Sequence, residues 1–213
     1  DGLAMFGYAA LGVCTDSLRS FPARTERQLE SYYPNPVERS EVAGAMVRRH
    51  LMLAAPCLND EVLLRVPDGG DQWTRIVQAA ASDNRAVVRA IFDTLMAGRH
   101  LDRPGDVAIE FTVTEAWALA SVGDTALAMA HLDRSLTALP TLGHYLLDLP
   151  AQSAGLVRAM GLRAELAART GDHAIARRWA TAVSTLWAGA DRELQPYVAA
   201  MRRIAAGRWR PSA

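Results

Sequence analysis

The side chains able to move protons or hold a metal are few, and their spacing suits neither task. Histidines stand at His50, His100, His131, His144 and His173. None has a second histidine four residues away, the spacing that sets two imidazoles on one helix face around a zinc ion, and His-Glu-x-x-His does not occur. His131 and Asp133 are two apart on one expected helix and so point in different directions. The histidines read as surface or hydrogen-bonded side chains; no metal and no cofactor are expected. Gly-x-Ser-x-Gly is absent, and "SAGL" at 153–156 reads as a helix start with Ser153 as its cap. The glycines of "PDGGD" and "RPGD" have acids beside them that repel phosphate and no lysine to reach it, so both are turns. Among the carboxylates Asp133, Asp148 and Glu165, the last stands four before Arg169 and reads as half of an ion pair on an exposed face. No catalytic residue is expected.

Charge and aromatic content point toward association. Lysine is missing from the chain; 23 arginines balance 23 acids at a net charge of zero, and they are dispersed, which argues against a dedicated nucleic-acid surface. Trp179 and Trp187, eight apart, share a helix face, and Trp73 and Trp117 sit on other expected helices. These indoles read as core packing, with an exposed partner anchor as the alternative. Trp209, between Arg208 and Arg210, lies past the last expected helix, as a frayed tail or as an anchor for a neighbouring subunit or membrane surface.

Cys14 and Cys57 lack metal spacing and read as two small buried hydrophobes; a disulfide between them, in an oxidising compartment, is the alternative. The apolar stretch Leu3 to Val13 is shorter than the roughly 20 residues a membrane helix needs. It reads as a buried helix or as the end of a trimmed anchor or signal, and the second version favours an extracytoplasmic, membrane-associated location over a cytoplasmic one.

The elements that must carry these residues are helices. Apolar positions recur at three, four and seven, as in Leu156, Met160, Ala164 and Ala167. Breakers divide the chain into expected helices up to Glu30 and over 37–54, 72–81, 85–97, 106–122, 125–139, 153–170, 173–189 and 193–206, with Pro140 stopping the one that begins at Thr125. "EVLLRV" at 61–66, bounded by Asn59-Asp60 and "PDGGD", is the one strand signal. The fold class is all-α.

Twice, at Gly123-Asp124 and Gly171-Asp172, a glycine suited to a left-handed helix end is followed by an aspartate suited to cap the next helix. Ala128 and Ala176 follow five residues after the glycines, Leu132 and Ala180 nine after, and Pro140 seventeen after the first. This pattern resembles the tetratricopeptide repeat family over 106–140 and 154–188, and over 70–99 with Ser82-Asp83 in place of Gly-Asp. It departs from the family in its 48-residue interval between the glycines and in Ala116, Leu119, Ala164 and Ala167 at positions where aromatics are usual. The ending "LWAGADRELQP" resembles the closing unit of repeat regions attached to bacterial serine/threonine kinases and regulators, although no kinase motif is present.

The resemblance implies a tetratricopeptide-like α-α superhelix of helical hairpins over 69–213, with a helical extension over 1–68 following any trimmed membrane anchor. It implies a non-enzymatic interaction or scaffold module that holds a partner protein in its groove, as a subunit of a membrane complex in the extracytoplasmic version. Arg158, Arg177, Arg178, Trp179 and Trp209 are the partner-binding candidates. Two other readings stand beside it. One is a sensory region of a signalling protein, binding a small ligand at the loop 141–152 through His144 and Tyr145. The other is an all-α enzyme, which requires buried carboxylates or histidines to converge on a pocket.

Overall fold

Reversal of one helix onto the next depends here on a single backbone device used several times. The computed structural model describes Asn35 and residues 54–58, 60–65, 72–99, 109–142 and 150–209. Gly123 has φ +83 and Gly171 φ +82. In each turn the amide after the glycine reaches five residues back: Asp124 N–H donates to Leu119 O at 2.9 Å, and Asp172 N–H to Ala167 O at 2.9 Å. The glycine amides bond three back, to Ala120 and Ala168, which completes the Schellman geometry and satisfies carbonyls a helix end leaves free. The first hairpin has the same turn one residue later than the sequence pattern implies. Asp83, not Ser82, takes the left-handed position at φ 51, and Asn84 N–H donates to Ala79 O at 2.8 Å. Aspartate tolerates this conformation through local hydrogen bonding, which is why glycine is dispensable there.

The turns join helices α2 (Gln72–Ala81) to α3 (Arg85–Ala97), α4 (Ile109–Ser121) to α5 (Thr125–Leu142), and α6 (Pro150–Thr170) to α7 (His173–Leu186); α1 (Asp60–Arg65) precedes them and α8 (Gln195–Ala205) follows. Asn84 Oδ1 accepts from Val87 N–H at 3.2 Å and Asp172 Oδ1 from Ile175 N–H at 3.1 Å, capping α3 and α7 as expected of these residue types. The described residues are all-helical, with no strand among them. "EVLLRV" is therefore a correction: Asp60 and Glu61 sit in the first turn of α1, where acids suit the helix dipole, and Leu63 is buried. Several helix ends also differ from expectation; α7, for one, stops at Leu186, three residues short of the expected 189. Pro140 lies inside α5, in its last turn, where its missing amide removes one hydrogen bond without ending the helix. Pro150 begins α6, a position its fixed φ suits, so Ser153 is inside the helix and not at its cap.

Packing follows from which helices are apolar all round. The first helices of the hairpins lie in sequence, α2 against α4 and α4 against α6, and α8 packs on α6, while α3 packs on α2 and α4, α5 on α4 and α6, and α7 on α6 and α8. Helices with neighbours on several sides cannot have a polar face, and α4 buries Ile109, Val113, Ala116, Ala118 and Leu119 together with Thr112 and Thr114. The outer helices bury one stripe each, Val88, Ile91 and Phe92 on α3 and Ala176, Ala180 and Val183 on α7. Alanines lining α6 let neighbours approach closely. Gly161 is the extreme case, because a Cβ there would collide with the Tyr197 hydroxyl from α8.

Cys57, in the 3₁₀ turn Ala55–Cys57, is disulfide-bonded, and Cys14 is the only other cysteine in the chain. This corrects the expectation of two free, buried thiols. The apolar stretch Leu3 to Val13, the expected helices up to residue 53, and His50, His100, His144 and Tyr145 lie outside the described residues. Among the described residues no helix is long and apolar enough to cross a membrane.

A Cβ at Gly123 would meet no atom within 4 Å, so the cost of Gly123→Ala is conformational alone. It is expected to lower unfolding free energy by about 1–2 kcal/mol. Asp83→Gly, which relaxes the same conformation, is expected to change it by less than about 0.5 kcal/mol. Urea titration of both variants checks this, and equal destabilisation would contradict a shared turn geometry.

Candidate functional site

Two constellations bring chemistry-bearing residues together, one sealed and one open. The sealed one surrounds Glu115, whose residue is 0% exposed in the middle of α4. A bare carboxylate at such a place would be very costly, so each oxygen needs donors. Arg99, just past α3, supplies a two-pronged contact, Nη1 to Oε2 at 2.8 Å and Nη2 to Oε1 at 2.7 Å. His131 Nε2 from α5 lies 2.8 Å from Oε2, and Trp73 Nε1–H from α2 donates to Oε1 at 3.4 Å. Burial pushes the Glu115 carboxyl up, but the hydrogen bonds and charges of His131 and Arg99 outweigh it and hold the group down at about 2. The His131 ring stands edge-on to Phe92, with centroids 5.0 Å apart, and Trp73 tilts against Phe111 at 5.1 Å. Aromatic walls thus close the cluster from water.

Two further ion pairs join successive hairpins. Arg163 on α6 grips Asp133 on α5 with Nε to Oδ1 at 2.7 Å and Nη2 to Oδ2 at 3.0 Å. Asp124 reaches across to α3, pairing with Arg85 and lying 3.5 Å from Arg89. His131 and Asp133 do diverge as their spacing implied, one to Glu115 and the other to Arg163.

The open constellation is a cleft of about 550 Å³ on the layer of first helices. Its walls are Trp117 and Ser121 on α4, Leu162, Glu165 and Arg169 on α6, and Met201, Arg203 and Ile204 on α8, with Arg208 and Trp209 closing one side. Arg169, Arg203 and Arg208 are exposed, whereas Trp117 and Trp209 are half-buried against the core. Gly207, at φ 70, ends α8 with the same turn as the hairpins: Arg208 N–H donates to Arg203 O at 2.8 Å. That bond fixes the backbone from which Arg208 and Trp209 project.

Behind the cleft, Tyr197 is enclosed between α8 and Gly161. Its hydroxyl is held up by burial and by the nearby Glu165 charge. Burial raises Glu165 as well, against the opposing charge of Arg169. Glu165 is thus a half-buried wall of the cleft, a correction to its expected place on an exposed face.

The five expected partner-binding residues do not converge. Trp209 lines the cleft and packs in part on the core, which makes it more than a frayed tail. Arg158 is buried, 7% exposed, and burial lowers its guanidinium to about 10; a partner has no direct access to it. Arg177 and Arg178 are exposed on α7, with Arg178 stacked 4.8 Å over the Trp179 ring, and none of the three lines the cleft. Missed by the sequence reading were Glu115 with Arg99, and Arg169 and Arg203 of the cleft. A signal for Glu115 was present, since it is a lone carboxylate inside the apolar run "FTVTEAWALA". Nothing local in the sequence marks Arg203, because its role depends on α8 facing α4 and α6.

Among the described residues no group of three or more His, Cys, Asp or Glu is placed to hold a metal ion. Comparison with family models, curated proteins and solved structures gives no match to this chain.

Glu115 makes the fold acid-sensitive in a defined window. Its folded value lies below its ordinary one of 4.5, so its contribution is complete above about pH 4.5 and is lost as pH falls toward about 2. Glu115→Gln leaves Arg99 buried without its counter-charge and is expected to cost about 3–5 kcal/mol. It is also expected to flatten the stability profile between pH 4.5 and 2. Chemical denaturation across that range checks both; an unchanged profile in the variant would mean that other carboxylates set the acid limit.

Proposed function

We propose that the chain is a tetratricopeptide-like array of helical hairpins that binds a segment of a partner protein in the cleft between α4, α6 and α8. The observation that carries this reading is the cleft itself: its walls come from the first helices α4 and α6 and from α8, and combine exposed guanidinium groups with half-buried indoles. Arginine and tryptophan dominate the energetics of protein interfaces, because each offers a large apolar body with polar donors. The recurring turn at Asp83, Gly123 and Gly171, and the layering of first helices on first helices, support a repeat array. The Glu115 cluster does bring a buried carboxylate and a histidine together, as the enzyme alternative requires. Arg99 occupies both carboxylate oxygens, however, and the residue is fully enclosed. It is therefore read as an inter-hairpin lock.

The disulfide at Cys57 favours an oxidising compartment, and with it the extracytoplasmic version of the module as a subunit docked on a membrane complex.

A photo-reactive amino acid placed at Ser121, on the cleft wall, or at Arg177, on the exposed side of α7, discriminates between the surfaces. Covalent capture of a partner from native membrane and soluble fractions is expected from position 121 and not from 177, with the adducts identified by mass spectrometry. Capture from position 177 alone would move binding to the outer helices and end the cleft reading.

A further inference from the structure

We infer that the cleft selects an extended acidic segment of its partner, with a carboxylate side chain against Arg203 and Arg208 and an adjacent apolar side chain between Trp117 and Trp209. This rests on the reading of the cleft as the partner groove and names what the groove accepts. Three guanidinium groups, Arg169, Arg203 and Arg208, face the cleft, and Glu165 is the one carboxylate among its lining residues. Glu165 lies one helical turn before Arg169 and within its electrostatic reach. Arg203 and Arg208 remain for a ligand, and the Arg208 amide bonded to the Arg203 carbonyl holds their backbones together at the end of α8. Guanidinium groups are planar forks that favour carboxylate oxygens, which can accept two parallel N–H bonds.

The apolar half of the site is equally specific. Trp117, on α4, and Trp209, past the end of α8, both line the cleft together with Leu162, Met201 and Ile204. A basic segment would meet three like charges there, and a purely apolar one would leave the guanidinium groups without partners as water is excluded. Alternation of acidic and apolar side chains matches both halves of the surface at the pitch of an extended chain, in which successive side chains point to opposite sides.

The test uses the full chain and three fluorescein-labelled peptides of equal length, alternating glutamate and leucine, lysine and leucine, or serine and leucine, followed by fluorescence anisotropy. The glutamate peptide is expected to bind at least about tenfold more tightly than the serine one, with affinity falling as salt rises. R203E/R208E is expected to lose about tenfold or more of that affinity and to gain the lysine peptide. Both substituted side chains are exposed, so an unchanged thermal midpoint shows that folding is intact. E165Q removes the competing carboxylate and is expected to tighten the glutamate peptide several-fold. Equal or tighter binding of the serine or lysine peptide, unaffected by R203E/R208E, would overturn the acidic preference while leaving the groove reading standing. If no peptide binds while position 121 still captures a partner, the inference fails alone; if neither occurs, both readings fail.

Discussion

The carboxylate of Glu115 is the constraint around which the first two hairpins are arranged. Charge in a dry interior is tolerated only when it is fully solvated by protein, and here the solvation of Glu115 on α4 comes from three separate elements: Trp73 on α2, Arg99 beyond α3 and His131 on α5. An apolar contact surface accepts small slips between helices at little cost. A two-pronged guanidinium contact does not, because a shift of one helical turn would leave both charges buried and unpaired. The cluster therefore sets the register of one hairpin on the next, a role that shape alone serves poorly in helices lined with alanine. Arg163 with Asp133 continues the same logic from α5 to α6, in a more exposed setting where the energy is smaller.

The helical class and most helix boundaries were legible because breakers in this chain are local and strong. Gly-Asp, Asp-Asn and proline act within a few residues, so the turns at 83, 123 and 171 could be anticipated from composition alone. Errors arose where tertiary context overruled a local rule. Residues 61–65 of "EVLLRV" are helical because Leu63 has a core to enter, and Pro140 is absorbed because it falls in the last turn, where only two residues follow it in the helix and one amide hydrogen bond is lost. The site was less legible. Periodicity identifies the buried side of an outer helix, but on a helix with neighbours on several sides, such as α6, it does not tell Arg158, which is buried, from Arg169, which reaches the cleft. That difference depends on which neighbours stand at each height, and those neighbours are far away in sequence.

Small residues decide how near those neighbours come. Gly161 admits the Tyr197 hydroxyl against the backbone of α6, and the ring of Tyr197 in turn tilts against Trp187 with centroids 5.8 Å apart. One missing Cβ thus sets the separation of α6 and α8, and with it the width of the cleft above them. The cleft and the core are in this sense the same packing problem, solved at different depths.

The absence of lysine gives the cleft a further property. Guanidinium groups on a solvent-exposed surface stay protonated throughout the physiological range, and they are not substrates for the acylating enzymes that silence amines. The positive charge that Arg169, Arg203 and Arg208 bring to the cleft is consequently constant over that range. On the proposed reading of the cleft, control over binding passes to the surroundings and to the ligand: to the ionic strength of the medium, and to any chemistry that adds or removes negative charge on the acidic segment.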